Sequence, residues 1–109
     1  MLPKTNRIRK KRDFETIFAN SKSLKNSLFI FRIAKNNLGL NRFGFVVSLK
    51  VSKRAVVRNK VRRRLAEIMA VEEKSIKPGK DIVLIALPGI EKKEFSEIKE
   101  AIHNICSNL

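Results

Sequence analysis

The hydrophobic pattern of the chain changes between helical and strand periods and predicts an α+β domain. The stretch KVSKRAVVRNKVRRRLAE, from Lys50 to Glu67, contains no Gly or Pro, and none follows until Pro78, so it predicts a long helix. At about 100° per residue its apolar positions fall on one side, which predicts burial. They are Val57, Val61, Leu65 and Ile68, with Met69 at the edge. Ser52 is the predicted helix start, since its hydroxyl could accept from an amide of the first turn.

Three apolar runs predict strands, with turns between them. The strands extend from Leu28 to Ala34, from Phe43 to Leu49 and from Asp81 to Pro88, and turns are predicted at 36–39 and 77–80. Apolar residues on both faces of the first run indicate that one face meets helices and the other is a partly exposed floor. Gly44 inside the second strand indicates a close backbone approach or a bulge.

Two amphipathic segments predict helices near the chain ends. Asp13 is a candidate cap for a short helix in which Phe14, Ile17 and Phe18 share one face, and the core is the plainest interpretation of all three. A closing helix opens near Lys93. Its inward positions are Phe95, Ile98, Ile102 and Ile105, and its outward positions are Glu94, Glu97 and Glu100.

The net charge of +15 is the strongest functional signal in the sequence. Residues 1–64 hold 19 Lys and Arg against 2 acids, whereas residues 65–109 hold 6 against 8. On the central helix, the side opposite the apolar stripe carries the basic helix face, defined as Arg58, Asn59, Arg62 and Arg63; Lys53, Lys60 and Arg64 flank it. Such clustered cations repel one another, so the pattern predicts a polyanionic partner. A solvated basic face kept for solubility is the alternative.

The length of 109 residues predicts one domain over 1–109, with residues 1–12 as a flexible basic arm. The chain lacks an apolar run of about 20 residues, a secretory signal and a lipidation signal, so no membrane partner is expected. The lone Cys106 suits a reducing, cytoplasmic setting. His103 and Cys106 have no second pair to complete a metal site, and no nucleophile and base constellation is evident.

Two segments resemble the protein subunit of bacterial ribonuclease P. They are RFGFVVSLKVSKRAVVRNKVRR, from Arg42 to Arg63, and RDFETIF, from Arg12 to Phe18. The similarity spans nearly the whole chain, and the central block is its specific part. The sequence departs from the family pattern at Leu49, where a Lys is common, and at Arg32, where the family can present an aromatic residue to RNA. Arg32 is therefore either an RNA contact or an edge charge.

The resemblance implies an α-β sandwich of order α-β-β-(β)-α-β-α, with a small mixed sheet packed by helices and a left-handed βαβ crossover. It also implies that a catalytic RNA removes the 5′ leader of precursor tRNA, with Mg²⁺ held mainly by RNA and no catalytic or metal-ligating residue in this chain. Positions matching the catalytic-RNA surface are Lys53, Arg54, Arg58, Asn59, Lys60, Arg62 and Arg63. Positions matching the leader surface are Phe14, Phe18, Arg32, Ser48 and Lys50.

Two other functions fit part of the sequence. A structural RNA-binding protein of the ribosomal type would explain the charge and the lack of catalytic groups, but not an aromatic groove for a single strand. A DNA-binding protein could place the basic helix in the major groove. Cations around most of that helix favour phosphate contact over base reading, however, and no dimerisation element is evident, so no DNA partner is expected.

Overall fold

The computed structural model describes residues 2–109, apart from the side chain of Lys4. Its helices and strands, in chain order, are α1 (Lys11–Ala19), β1 (Lys22–Lys25), β2 (Phe29–Lys35), β3 (Arg42–Val46), α2 (Ala55–Glu72), β4 (Lys80–Ala86) and α3 (Phe95–Cys106). Short 3₁₀ turns occupy Lys4–Asn6, Glu73–Ser75 and Ile90–Lys92. The predicted α+β class and element order are confirmed, and the strand bounds shift by one to three residues.

The four strands form one mixed sheet in the order β1-β2-β4-β3. The β1/β2 and β2/β4 pairs are antiparallel, and β3 runs parallel to β4. Because β4 is central, most of its side chains are buried, on both faces of the sheet. This explains its nearly continuous apolar sequence, since a strand covered on both sides needs no polar alternation.

Helices cover both faces of the sheet. On one face, α2 and α3 pack on alternate strand residues such as Phe31, Phe43 and Leu84, which form the larger core. On the other face, α1 packs through Ile17 on Val83, which is fully buried. The predicted α2 stripe is buried at Val61, Leu65, Ile68 and Met69, whereas Val57 in the first turn is only half-buried.

Two predicted helix caps are wrong. The N-cap of α2 is Arg54, not Ser52, whose Oγ accepts from the Arg54 amide at 3.2 Å and so orders the approach to the helix. The N-cap of α1 is Lys10, and Asp13 lies inside the first turn, where its carboxylate pairs with Arg42. An acid in this position still favours the positive end of the helix dipole.

The N-terminal segment, residues 2–8, lies against the sheet, although the sequence predicts a flexible arm over residues 1–12; Met1 lies outside the described residues. Leu2 and Ile8 are only 3% and 5% exposed. The Ile8 amide donates to the Phe43 carbonyl at 2.8 Å, and Arg7 forms a parallel bridge with Phe43. The segment thus pairs with the open edge of β3, and the two apolar side chains outweigh the basic composition around them.

Candidate nucleic-acid interface

The basic helix face lies along the exposed side of α2. Its cations enter none of the ion pairs formed among the described residues. Arg62 donates from Nη1 to Oδ1 of Asn59 at 2.6 Å, so the guanidinium is aligned by a neutral neighbour and keeps its charge unmatched. Unpaired guanidinium groups with fixed orientation suit bidentate contact with phosphate.

Arg58 has a second role besides its charge. Its Nη1 donates to the carbonyl oxygens of Ser52 and Lys53, at 3.0 Å in both cases. These carbonyls belong to the turn that leads into α2, so Arg58 fixes the start of its own helix. Replacement of Arg58 would therefore disturb both the binding surface and the local fold.

A groove of about 590 Å³ separates the basic helix face from the N-terminal segment. It is lined by Leu2, Arg7, Phe45, Val56, Asn59, Arg62, Arg63 and Ala66. Val56, which is 70% exposed, and Phe45 give this groove an apolar floor between cations. The sequence pattern does not single out Arg7 as a site residue. Its placement depends on the burial of Leu2 and Ile8, and those apolar residues were the signal that could have revealed it.

Phe14 and Phe18 define the wall of a second surface, the aromatic cleft, on the α1 side of the sheet. Their ring centroids are 6.4 Å apart. Phe14 lies directly over Gly44, where an added Cβ would stand only 2.6 Å from Cε1 of the ring. The close approach predicted at Gly44 is thus confirmed, and the approaching group is an aromatic ring. Phe18 is more open, at 38% exposed.

A strip of sheet beside α1 forms the floor of the aromatic cleft. Ile30, Ile85 and Val46 are neighbours across β2, β4 and β3, and all three are half-buried. Lys25 pairs with Ile30 from the edge strand and is exposed. The floor is therefore apolar and bordered by charge, an arrangement that suits stacked bases with an adjacent phosphate backbone.

Arg32 lies in the same cleft, beneath the exposed aromatic ring. Its Nη2 donates to the Phe18 carbonyl at 2.7 Å, and its guanidinium carbon lies 5.8 Å from the Phe18 ring centroid. The Nε atom is buried and has no hydrogen-bond partner among the described residues. Arg32 thus positions Phe18 and also adds positive charge to the cleft.

A charge network that the sequence analysis did not identify joins α1 to the sheet. Arg42 donates through Nε and Nη2 to the two carboxylate oxygens of Asp81, at 2.9 and 2.7 Å, and its Nη1 lies 3.5 Å from Asp13. Asn36 donates to the same Asp81 carboxylate at 2.7 Å. The hydrogen bonds to Asp81 raise the pKa of Arg42. This network stabilises α1 above the sheet and so maintains the cleft.

Of the remaining predicted site residues, Lys60 is exposed on α2, and the other four lie between β3 and α2. Ser48, Lys50, Lys53 and Arg54 are all exposed. Ser48 accepts from the Lys50 amide at 3.3 Å, which forms a compact polar turn. These residues connect the end of the cleft strand β3 to the start of the basic helix face, so they lie between the two surfaces.

Residues 2–109 contain no group of three or more His, Cys, Asp and Glu arranged to hold a metal ion. Within the same range, no helix combines the length and apolar character needed to cross a bilayer. The mixed sheet, the unpaired cations of α2 and the aromatic cleft together define a class of small basic α+β protein that binds nucleic acid.

Comparison with known proteins gives the family. The ribonuclease P family model matches residues 2–109. The ribonuclease P protein component of Alkaliphilus metalliredigens is 39% identical over 97 residues, which cover 89% of this chain and 86% of that protein. That of Clostridium botulinum is 38% identical over 103 residues, covering 94% and 92%. The chain therefore belongs to the ribonuclease P protein family and has an RNA partner in the ribonuclease complex.

Solved structures share the fold as well. The ribonuclease P protein of Thermotoga maritima superposes with a TM-score of 0.85 at 33% identity, covering 94% of this chain and 96% of that one. The Staphylococcus aureus protein gives a TM-score of 0.85 at 29% identity, covering 94% and 93%.

Proposed function

We propose that this protein joins two RNAs within ribonuclease P. The basic helix face, together with Lys53, Arg54 and Lys60, binds the catalytic RNA. The aromatic cleft, together with Arg32, Ser48 and Lys50, binds the 5′ leader of precursor tRNA. Removal of the leader is the hydrolytic step that the catalytic RNA performs, and it yields the mature 5′ end.

The observation that carries this proposal is the placement of the two surfaces. The cleft is built where α1 packs on one face of the sheet, whereas the basic helix face belongs to a helix packed on the opposite face. A protein that bound one RNA element nonspecifically would need only the positive charge of the basic helix face. A separate cleft with an exposed ring and an apolar floor suits a single strand, because unpaired bases can stack there.

The charge of the protein supports magnesium-dependent cleavage without a protein-borne metal. Asp13 and Asp81, which lie near the cleft, are both engaged by Arg42. These residues do not fit a metal site, and Mg²⁺ is held mainly by RNA in this proposal. Cations placed between two polyanions lower the repulsion between them, which strengthens substrate binding and metal uptake by the RNA.

The test is cleavage of precursor tRNA by a bacterial ribonuclease P RNA at low Mg²⁺, with and without this protein. We expect stimulation that requires the leader, together with tighter binding of precursor than of mature tRNA. Tight, salt-dependent RNA binding without stimulation would contradict the proposal and favour a structural RNA-binding protein.

Phe18→Ala is the sharpest variant for the leader surface, because Phe14 also packs against Gly44. Loss of one stacked base should weaken precursor binding by about 1–3 kcal/mol and leave mature tRNA binding unchanged. Leu38→Ala is the matched control, since Leu38 is an exposed apolar residue in the β2–β3 turn. Equal losses for precursor and mature tRNA would remove Phe18 from the leader surface.

A further inference from the structure

Phe95 is an aromatic residue that the fold does not use to complete its core. The helical period predicts that it faces inward with Ile98 and Ile102. Those two residues are buried, but Phe95 is 37% exposed at the first position of α3. It lies against the flank of α2, in a groove of about 310 Å³ lined by Lys60, Arg63, Arg64, Glu67 and Phe95.

The composition of this groove suits a nucleotide. Three cations and one carboxylate give a net positive charge, and none of the four forms an ion pair within residues 2–109. Among the described residues, a cation lies over the ring of Phe18 but none lies over that of Phe95. The Phe95 ring is therefore open to a base, while the cations beside it are open to phosphate.

The groove is continuous with the surface already described. Arg63 lines both this groove and the groove that contains Arg7 on the other side of α2. A helix with its side chains is about 10–12 Å across, so one RNA segment that crosses α2 can reach both grooves. An acidic protein partner would match the charge as well, but it would leave unexplained an exposed ring among unpaired cations.

We propose that Phe95 is a stacking platform for one unpaired base of the catalytic RNA, whose phosphates contact Lys60, Arg63 and Arg64. The inference rests on the proposed function, because it assigns the occupant to the RNA that the basic helix face binds. Glu67 supplies a hydrogen-bond acceptor for an amino group on the stacked base. It also repels phosphate, which directs the backbone toward the cations.

Fluorescence tests this inference directly, because the chain contains no Trp and no Tyr. Phe95→Trp introduces a single indole at the proposed platform, and titration with catalytic RNA should quench its emission by contact with the base. Val71→Trp is the control, since Val71 is an exposed residue of α2 beyond the cations. Saturated RNA binding with unchanged emission from the Phe95→Trp variant would overturn the proposal.

Affinity gives the second readout. Phe95→Leu keeps an apolar side chain but removes the aromatic face, so binding of the catalytic RNA should weaken about 10-fold, whereas Phe95→Trp should retain it. Equal affinity of Phe95→Leu and wild type for the catalytic RNA would overturn the stacking role of Phe95 and leave the proposed function standing. Failure of the wild type to bind catalytic RNA would instead overturn the proposed function. Quenching by precursor tRNA but not by catalytic RNA would refute the assigned occupant.

Discussion

Replacement of two arginines on the basic helix face should reduce the salt dependence of binding to the catalytic RNA. Arg62→Ala combined with Arg63→Ala is the appropriate pair, because both side chains line the groove beside the N-terminal segment. Arg58 is left intact, since its guanidinium bonds the carbonyls of the turn before α2. The fold should be unaffected or slightly more stable, because the pair contributes to repulsion along the helix.

Counterion release sets the magnitude of this effect. Each phosphate neutralised contributes about 0.7 to 0.9 to the slope of log K against log salt concentration. Two lost contacts should therefore lower the slope by about 1.5. This corresponds to a roughly 30-fold loss of affinity at about 0.1 M salt, or about 2 kcal/mol, and the difference should vanish near 1 M.

The assay is equilibrium binding of catalytic RNA over about 0.05–1 M monovalent salt at fixed Mg²⁺, with unfolding curves for each variant. Lys74→Ala with Lys77→Ala is the matched control, because it removes the same charge from exposed positions near the far end of α2. Arg62 and Lys74 are separated by roughly 18 Å along the helix axis. Equal slope changes for the two pairs would show that net charge, and not the basic helix face, controls binding.

Two further predictions concern the fold around the cleft and the closing helix. Gly44→Ala should destabilise the protein by about 1–3 kcal/mol in urea unfolding, because the new methyl overlaps the Phe14 ring. Adding Phe14→Ala should relieve part of this loss. If the losses of stability caused by the two substitutions simply add, the contact between Phe14 and Gly44 is refuted. Burial, reinforced by Glu72, raises the pKa of Cys106 from 9.0 to about 12. The folded state therefore keeps the thiol proton to a higher pH than the unfolded chain does, so the contribution of Cys106 to the free energy of unfolding is complete below about pH 9 and is lost as the pH rises toward 12. Thiol labelling at pH 8 should require unfolding, and rapid labelling of the folded protein would contradict this.

Local periodicity was sufficient to predict the elements that bury a continuous apolar stripe. The α2 helix satisfies this condition through Val61 and Leu65, and β4 satisfies it through an unbroken apolar run. The basic helix face followed from the same helical period. In each case, the information lies within one segment, 18 residues long in α2 and 7 in β4, so no tertiary contact was needed to find it.

Features that depend on contacts between segments far apart in the sequence could not be predicted from local periodicity. The composition and spacing did not locate β1, because KSLK is exposed at all four positions and is held by its main-chain pairing with β2. The Arg42–Asp81 pair joins residues 39 positions apart in sequence. Phe95 has helical spacing appropriate for the core, and only the arrangement of α3 beside α2 leaves its ring open.

The cation that is paired with carboxylates and the cations without such partners lie in different parts of the structure, and that separation links stability to function. Arg42, which is partly buried, is matched by Asp81 and Asp13, so one of the two acids in residues 1–64 helps to secure α1 over the sheet. Within residues 2–109, the cations of the basic helix face have no such partners, and their mutual repulsion persists in the free protein. In the proposed complex, RNA bound at this face reduces that repulsion, and it stabilises the folded chain to the extent that it binds the folded chain more tightly than the unfolded one. Binding and folding should therefore reinforce each other most strongly at low salt, where the unpaired cations are least screened.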